Sequence, residues 1–322
     1  MSPTLPEFED VLAAAARIAP HARRTPVHRS RSLDALAGAT LYFKCENLQR
    51  AGAFKFRGAC NAVMALDDEA AARGVVTHSS GNHGAALALA ARSRGIPCHV
   101  VVPEGAVAGK LAAIEAYGAT LHRCAPTIAA REAAAARVQA ETGARLVHPY
   151  IDPFVIAGQG TAALELLAEA GPLDALVTPL GGGGLLSGTA IVARARAGDI
   201  AVFGAEPEGA ADGIASLAAG RVVTDIVPDT ICDGLRGTLG EPNLALLQRC
   251  RVRLLPVSDT EVVSAMRLAW ERLKLVIEPS SATVLAAVFR HRGHFAGRRV
   301  GLILSGGNVD LAALPWQEQK AP

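Results

Sequence analysis

Aromatic side chains are scarce in this chain: eight Phe, three Tyr and two Trp among 322 residues. Net charge is only +2, and Lys and Arg are scattered rather than clustered. A basic nucleic-acid surface and a base-stacking platform are therefore both excluded, which leaves small molecules as the expected partners. Lysine is rarer still, occurring only as Lys44, Lys55, Lys110, Lys274 and Lys320.

No apolar run reaches the length that spans a bilayer, so no membrane association is expected. The opening "MSPTLPEFEDVLAAAARIAP" places acidic residues ahead of its apolar run, unlike the positively charged start of a signal peptide. A cytoplasmic protein is expected, with an amphipathic helix near 8–18. Its six cysteines (Cys45, Cys60, Cys98, Cys124, Cys232, Cys250) form no Cys-x-x-Cys pair and lie mostly within apolar patterns, as buried thiols of a reducing compartment do. There is no repeat of fixed period and no Pro/Ser-rich linker.

Half of the chain is hydrophobic, enough for a large buried core in one large or two smaller domains. Short β-rich runs alternate with Ala-rich helical runs, the pattern of parallel sheets built from βαβ units. Strands are predicted at 41–44, 75–78, 98–102, 120–123, 145–148, 175–179, 201–205, 251–257 and 300–304. Helices are predicted at 55–66, 83–94, 110–117, 131–142, 155–170, 185–196, 259–273 and 281–291. Polar, Gly or Pro residues break the pattern near 67–74 and 150–153. The expected architecture is α/β, with two doubly wound sheet domains: 1–67 and 152–322 form the larger, 68–151 the smaller, and a ligand lies between them.

Four Gly- or Ser-rich stretches each come after a predicted strand: "AGAFK" at 51–55, "SSGNHG" at 79–84, "GGGGLLSG" at 181–188 and "SGGN" at 305–308. In doubly wound sheets ligands bind outside the carboxyl ends of the strands, so these turns are predicted to meet at one crevice. Four glycines in a row exceed what a tight turn requires. Before a helix, they let backbone N–H groups close around an anion. The stretch lacks the terminal Lys-Ser/Thr of a P-loop and the spacing of a dinucleotide fingerprint. Lys55, set between Phe54 and Phe56, gains a lowered pKa from apolar neighbours and becomes an amine able to attack a carbonyl. An anion cup together with such a lysine points to pyridoxal phosphate.

With "CENLQRAGAFKFRGACNAV", "THSSGNHGAALALAA", "HPYIDPFVIAGQGTAALEL", "PLGGGGLLSGTA" and "LSGGNVDL" in order along nearly the whole chain, the sequence resembles the fold-type II pyridoxal-phosphate enzymes, specifically the serine racemase and serine/threonine dehydratase branch. The resemblance implies the tryptophan synthase β-like fold, a larger cofactor-binding domain, a smaller substrate-binding domain and a homodimer. Lys55 matches the Schiff-base lysine, and Phe54 the aromatic against the cofactor ring. Asn82 matches the partner of the ring's phenolic oxygen, and Ser305 that of the pyridine nitrogen. Gly181, Gly182, Gly183, Gly184 and the Leu185 amide match the phosphate loop. A neutral hydroxyl at the ring nitrogen leaves the ring a weaker electron sink, which favours β-elimination over transamination.

Ser79, Ser80, Asn82 and His83 offer hydroxyls, an amide and backbone N–H groups suited both to capping a helix and to holding an amino-acid carboxylate. Ser80 matches a family serine on the ring face opposite the lysine, and acid/base groups on both faces permit racemisation. Glu206, the Ala210 carbonyl and Asp212 match a family site for Mg2+ or Ca2+. Arg131 matches an arginine that reaches a second substrate carboxylate, while on residue type alone it is equally a solvated helix arginine. His78, His99, His122 and His148 lack metal-ligand spacing and are read as structural; Trp270 and Trp316 are read as packing or interface residues.

Two departures fall in the pocket: Ala53 where the family pattern "TGSFK" has serine, and Ser281 where many relatives have Gly or Ala. The second resembles dehydratases of 3-hydroxyaspartate-type substrates. The implied activity is a lyase reaction, in which β-elimination converts a small β-hydroxy amino acid to a 2-oxo acid and ammonia. Serine, threonine, 3-hydroxyaspartate and bulkier phenylserine-type substrates remain open, as does serine or aspartate racemisation through Lys55 and Ser80. A cysteine synthase-like replacement enzyme is disfavoured because that branch carries an SGNTG-like loop. A non-catalytic cofactor-binding protein is disfavoured by the complete set Lys55, Ser80, Asn82 and Ser305.

Overall fold

The first helix, Phe8–Ile18, forms where its pattern places it: Glu7 and Asp10 close a capping box at its start, and Val11, Ala14 and Ile18 share the buried face. The computed structural model describes residues 5–106, 108–197 and 200–317. Its strands are β1 (Val27–His28), β2 (Thr40–Cys45), β3 (Val75–Thr77), β4 (Cys98–Pro103), β5 (Thr120–Cys124), β6 (Arg145–Leu146), β7 (Ala175–Pro179), β8 (Ala201–Pro207), β9 (Arg253–Val257) and β10 (Arg299–Leu304). They build a six-stranded sheet in the order β1-β2-β10-β7-β8-β9 and a four-stranded sheet in the order β5-β4-β3-β6.

Every pairing is parallel except β1 with β2, so the larger sheet is mixed. A two-residue strand carries no readable alternation, which is why β1 has no signal in the sequence. Central strands β7 and β10 are buried nearly throughout, as expected for a sheet covered on both faces. The segment 67–74, expected only as a break, holds the helix Asp68–Arg73. Asp67 caps it by accepting the Ala70 N–H, and Gly74, at φ +81°, ends it. Three further short helices, Arg31–Ala37, Asp212–Ala219 and Glu241–Arg249, were likewise not anticipated.

The chain passes from the larger sheet to the smaller through the helix Lys55–Met64. Phe56, Ala59, Cys60 and Val63 on this helix pack with Val75 and Val100 of the smaller sheet. It returns through the helix Pro153–Ala170. Asp152 caps this helix by accepting the Phe154 and Val155 N–H groups, and is held by Arg145 at 2.8 Å. The strand expected at 145–148 ends at Leu146, so His148 stands outside the sheet. Among the described residues no helix is long and apolar enough to cross a membrane.

Candidate active site

Lys55 is the first residue of its helix and is reached through two 3-10 turns in which Ala51 takes a left-handed φ of 55°. Two contacts bind this approach to the loop after β10: Ala53 bridges Gly306, and the Phe54 N–H donates to the Ser305 carbonyl at 2.9 Å. The Lys55 Nζ lies 5.1 Å from the centre of the Phe54 ring and donates to the Pro149 carbonyl at 2.9 Å. Burial pushes its amine down to about 8, against an opposing pull from the Glu278 carboxylate. An amine with that pKa is neutral in a substantial fraction near pH 8, the form that attacks a carbonyl.

Asn82 opens the helix Asn82–Arg94. Its carboxamide Nδ2 donates to both Glu278 oxygens, at 3.0 and 3.2 Å, and its Oδ1 accepts from Asn308 Nδ2 at 2.9 Å. Asn308 Nδ2 also donates to the Ala51 carbonyl, and the Asn308 backbone N–H to Glu278. Three of the four predicted loops are thus tied together by Asn308 and Glu278. Ser79 and Ser80 are partly exposed beside them, and Ser305, next after β10, is buried. The His83 ring is buried with its Nε2 on the Val147 carbonyl at 3.2 Å and its Nδ1 without a partner. Burial, then the nearby Lys55 charge, holds it well below its ordinary pKa, so this side chain is neutral and only its backbone N–H is available to an anion.

The fourth loop, 181–184, joins through the segment 148–151. Gly183 has φ +97°. A side chain at Gly182 would place its Cβ 2.3 Å from Cγ of Tyr150, so only glycine lets that ring lie against the loop. With Pro149 accepting from Lys55, this short segment spans the distance between the lysine and the glycine loop. His148 Nδ1 receives the Ile151 N–H at 3.3 Å, and the ring stacks edge-on between His78 and Tyr150 at 5.0 and 4.6 Å. Burial, with the charges of His78 and Lys55 adding, lowers the His148 pKa to about 3. Burial raises that of Tyr150. Both are therefore neutral hydrogen-bonding groups rather than charges.

Several donors around this crevice have no protein acceptor among the described residues. No hydrogen bond among the described residues uses the backbone N–H groups of 181–185, which precede and begin the 14-residue helix Gly184–Ala197. Arg131 Nε and Ser281 Oγ are buried without partners. Unanswered N–H groups at a helix start fit an anion such as phosphate, and the depressed lysine fits an aldehyde, so the residues present suit pyridoxal phosphate.

Glu206, at the end of β8, lies near Asp212, and Ala210 is buried between them in the chain. Glu206 accepts the Gly213 and Ile214 N–H groups at 2.8 and 2.9 Å, and Asp212 accepts that of Leu239 at 2.7 Å. Burial pushes the Glu206 carboxyl up to about 8, the Asp212 charge adding to it. Among the described residues no cluster of three or more His, Cys, Asp or Glu is set to hold a metal.

Sequence reasoning missed Pro149, Tyr150, Asn243, Glu278 and Asn308. Pro149, Tyr150 and Asn308 lie inside the quoted stretches "HPYIDPFVIAGQGTAALEL" and "SGGN", Glu278 stands three residues before Ser281, and Asn243 had no local signal. His78 and His148, read as structural, lie beside the crevice. Trp270 and Trp316 pack edge to face at 5.2 Å.

A family model described as pyridoxal-phosphate dependent enzyme matches residues 18–306. A beta-hydroxyaspartate dehydratase of Paracoccus denitrificans is 50% identical over 97% of this chain and 99% of its own length. A serine racemase of Dictyostelium discoideum is 47% identical over 95% and 96%. The solved structure of maize serine racemase superposes with a TM-score of 0.94 at 45% identity, covering 96% of this chain and 95% of that one.

Proposed function

This chain belongs to the pyridoxal-phosphate dependent enzymes, and from that premise we propose that it is an ammonia-lyase whose substrate is a 3-hydroxyaspartate-type amino acid. The observation that carries the substrate class is the buried, unpartnered Nε of Arg131, within electrostatic reach of His78 and Tyr150. A guanidinium nitrogen without an acceptor at the rim of this crevice suits a second carboxylate, which serine and threonine lack.

When bound, pyridoxal phosphate supplies an aldehyde for an amine and a conjugated ring that draws charge from Cα. Lys55 would hold the aldehyde end of the cofactor and would serve as the base at the substrate Cα; a pKa near 8 suits a base at neutral pH. The N–H groups of 181–185 would hold the phosphate, Asn82 would serve the phenolic oxygen, Phe54 would pack on the ring and Ser305 would meet the ring nitrogen. Ser79, Ser80, Asn82 and the His83 N–H hold the α-carboxylate at the helix start. Water leaves from Cα and Cβ, and hydrolysis then releases ammonia and the 2-oxo acid. In this reading 68–151 is the substrate domain and 1–67 with 152–322 the cofactor domain. The enzyme works as a homodimer in the cytoplasm, where its six free thiols stay reduced.

The test is a panel of L- and D-β-hydroxy amino acids, phenylserine included. Arg131→Ala is expected to lower kcat/KM for 3-hydroxyaspartate by about 10- to 100-fold, the loss of one charge-assisted hydrogen-bonded pair, while leaving serine turnover within about threefold. Equal losses on both substrates sink the assignment. A second reading, racemisation with Ser80 as acid on the face opposite Lys55, draws support from the racemases among the relatives. Ser80→Ala should then remove enantiomer exchange while sparing elimination.

Glu206, the Ala210 carbonyl and Asp212 are the residues we assign to Mg2+ or Ca2+, since each carboxylate oxygen keeps a lone pair after accepting its backbone N–H. Either ion should stabilise the fold, by about 2.7 kcal/mol at a hundred times its Kd. Thermal melts with and without the ion measure it, and Glu206→Gln should remove the gain.

A further inference from the structure

We infer that Asn243 is a positioning residue that turns the Gly183 N–H into the crevice, and so sets how strongly the phosphate end of the cofactor is held. The inference rests on the assignment of 181–185 to phosphate. Asn243 lies in the helix Glu241–Arg249 and is fully buried. Its Nδ2 donates to two carbonyls, those of Gly182 and, at 3.0 Å, Tyr150. Its Oδ1 accepts from the Ser187 hydroxyl at 3.1 Å. Reversing the carboxamide would set its oxygen against two carbonyl oxygens, so this orientation is the one the surroundings allow.

A trans peptide is planar, and its C=O and N–H point in opposite directions. Holding the Gly182 carbonyl against Asn243, and against the Gly240 N–H at 3.2 Å, therefore directs the N–H of Gly183 the other way, away from the helix Glu241–Arg249. The constraint is needed because the peptide joins two glycines, whose backbones rotate with little steric resistance. Packing reinforces it: a Cβ on Gly183 would fall 2.7 Å from the Asn243 Cβ, so helix and loop are in direct contact. The same amide holds the Tyr150 carbonyl, and the Tyr150 ring lies against Gly182. One buried side chain thus fixes the glycine loop and the segment that also receives Lys55 at Pro149.

The full-length chain, freed of cofactor, is titrated with pyridoxal 5'-phosphate and with pyridoxal, which lacks the phosphate, and followed by visible absorbance. The wild type is expected to prefer the phosphorylated form. In Asn243→Leu, which keeps the volume but loses both donated bonds, that preference should fall by about tenfold or more, with pyridoxal affinity changed by less than about twofold. Ser187→Ala, which frees the carboxamide to turn without touching the loop, should move the preference the same way by a smaller factor and keeps the test decisive if Asn243→Leu does not fold. An unchanged preference in the variants that fold overturns the inference. A wild type with no preference between the two probes overturns instead the phosphate assignment of the loop. A loss in Asn243→Leu that falls equally on both probes also counts against the inference, since general loosening of the fold would produce it.

Discussion

Lys55→Ala is expected to lose turnover by about 10^4-fold or more, together with the visible absorbance of the lysine-bound cofactor. No other amine in the described structure stands ready to replace it. Lys44 is fully buried, and its Nζ is committed to Glu165 and the Thr25 carbonyl, each at 2.6 Å. Lys274 is exposed at the end of the helix Asp259–Leu273. Full turnover and an unaltered spectrum in the variant would remove the central residue of the proposed reaction.

The pH dependence gives a second view of the same amine. Burial lowers its pKa from 10.5 to about 8, so the neutral form accumulates as pH rises through 8. The rate at which the cofactor-free chain captures pyridoxal phosphate should climb with pH and level off a little above 8. Stopped-flow absorbance measures it, and a rate still climbing toward pH 10 would mean an amine that water reaches freely.

The crevice was legible in the sequence because its turns carry their own chemistry. Glycine and serine after strand patterns mark the ends of β2, β3, β7 and β10, and the parallel topology brings those ends together. The helix Asp259–Leu273 matched its expected bounds for a similar local reason: Ser258 and Glu261 form a capping box that the sequence displays. Tyr150, Asn243, Glu278 and Asn308 were not legible as site residues. Each acts through a partner dozens of residues away or more, as Asn308 does with Asn82 and Ala51, and neither periodicity nor spacing records such pairs. Arg57 is the extreme case. In the sequence it reads as an ordinary helix arginine two residues after Lys55, yet it is among the largest fully buried side chains of the protein.

Arg57→Met is accordingly expected to cost about 3–5 kcal/mol of stability, a fall in Tm on the order of 10 °C. The guanidinium donates from Nε and NH2 to Glu46 at 2.7 and 2.8 Å, and from NH1 and NH2 to Glu165, both at 2.8 Å. The Thr25 hydroxyl adds a third donor to Glu46 at 2.6 Å, and Lys44 adds another to Glu165. Two positive and two negative side chains balance, with Arg57, Lys44 and Glu46 fully buried and Glu165 at the margin, its side chain 23% exposed. Removing one leaves Glu46 buried with an uncompensated charge, whereas replacing Arg57 and Glu46 together by apolar residues should cost less than the two single changes summed. Glu165 carries the pH signature: burial pushes its carboxyl up, but the hydrogen bonds and charge of Arg57, with Lys44, win and hold it below 4.5. A depressed folded-state pKa gives stability that is present above the unfolded value and lost as pH falls through the folded one. Wild type should therefore lose stability below about pH 4.5 more steeply than Arg57→Met, in which the guanidinium is gone. Parallel acid limbs in the two proteins would mean that the network is held by packing rather than by its charges.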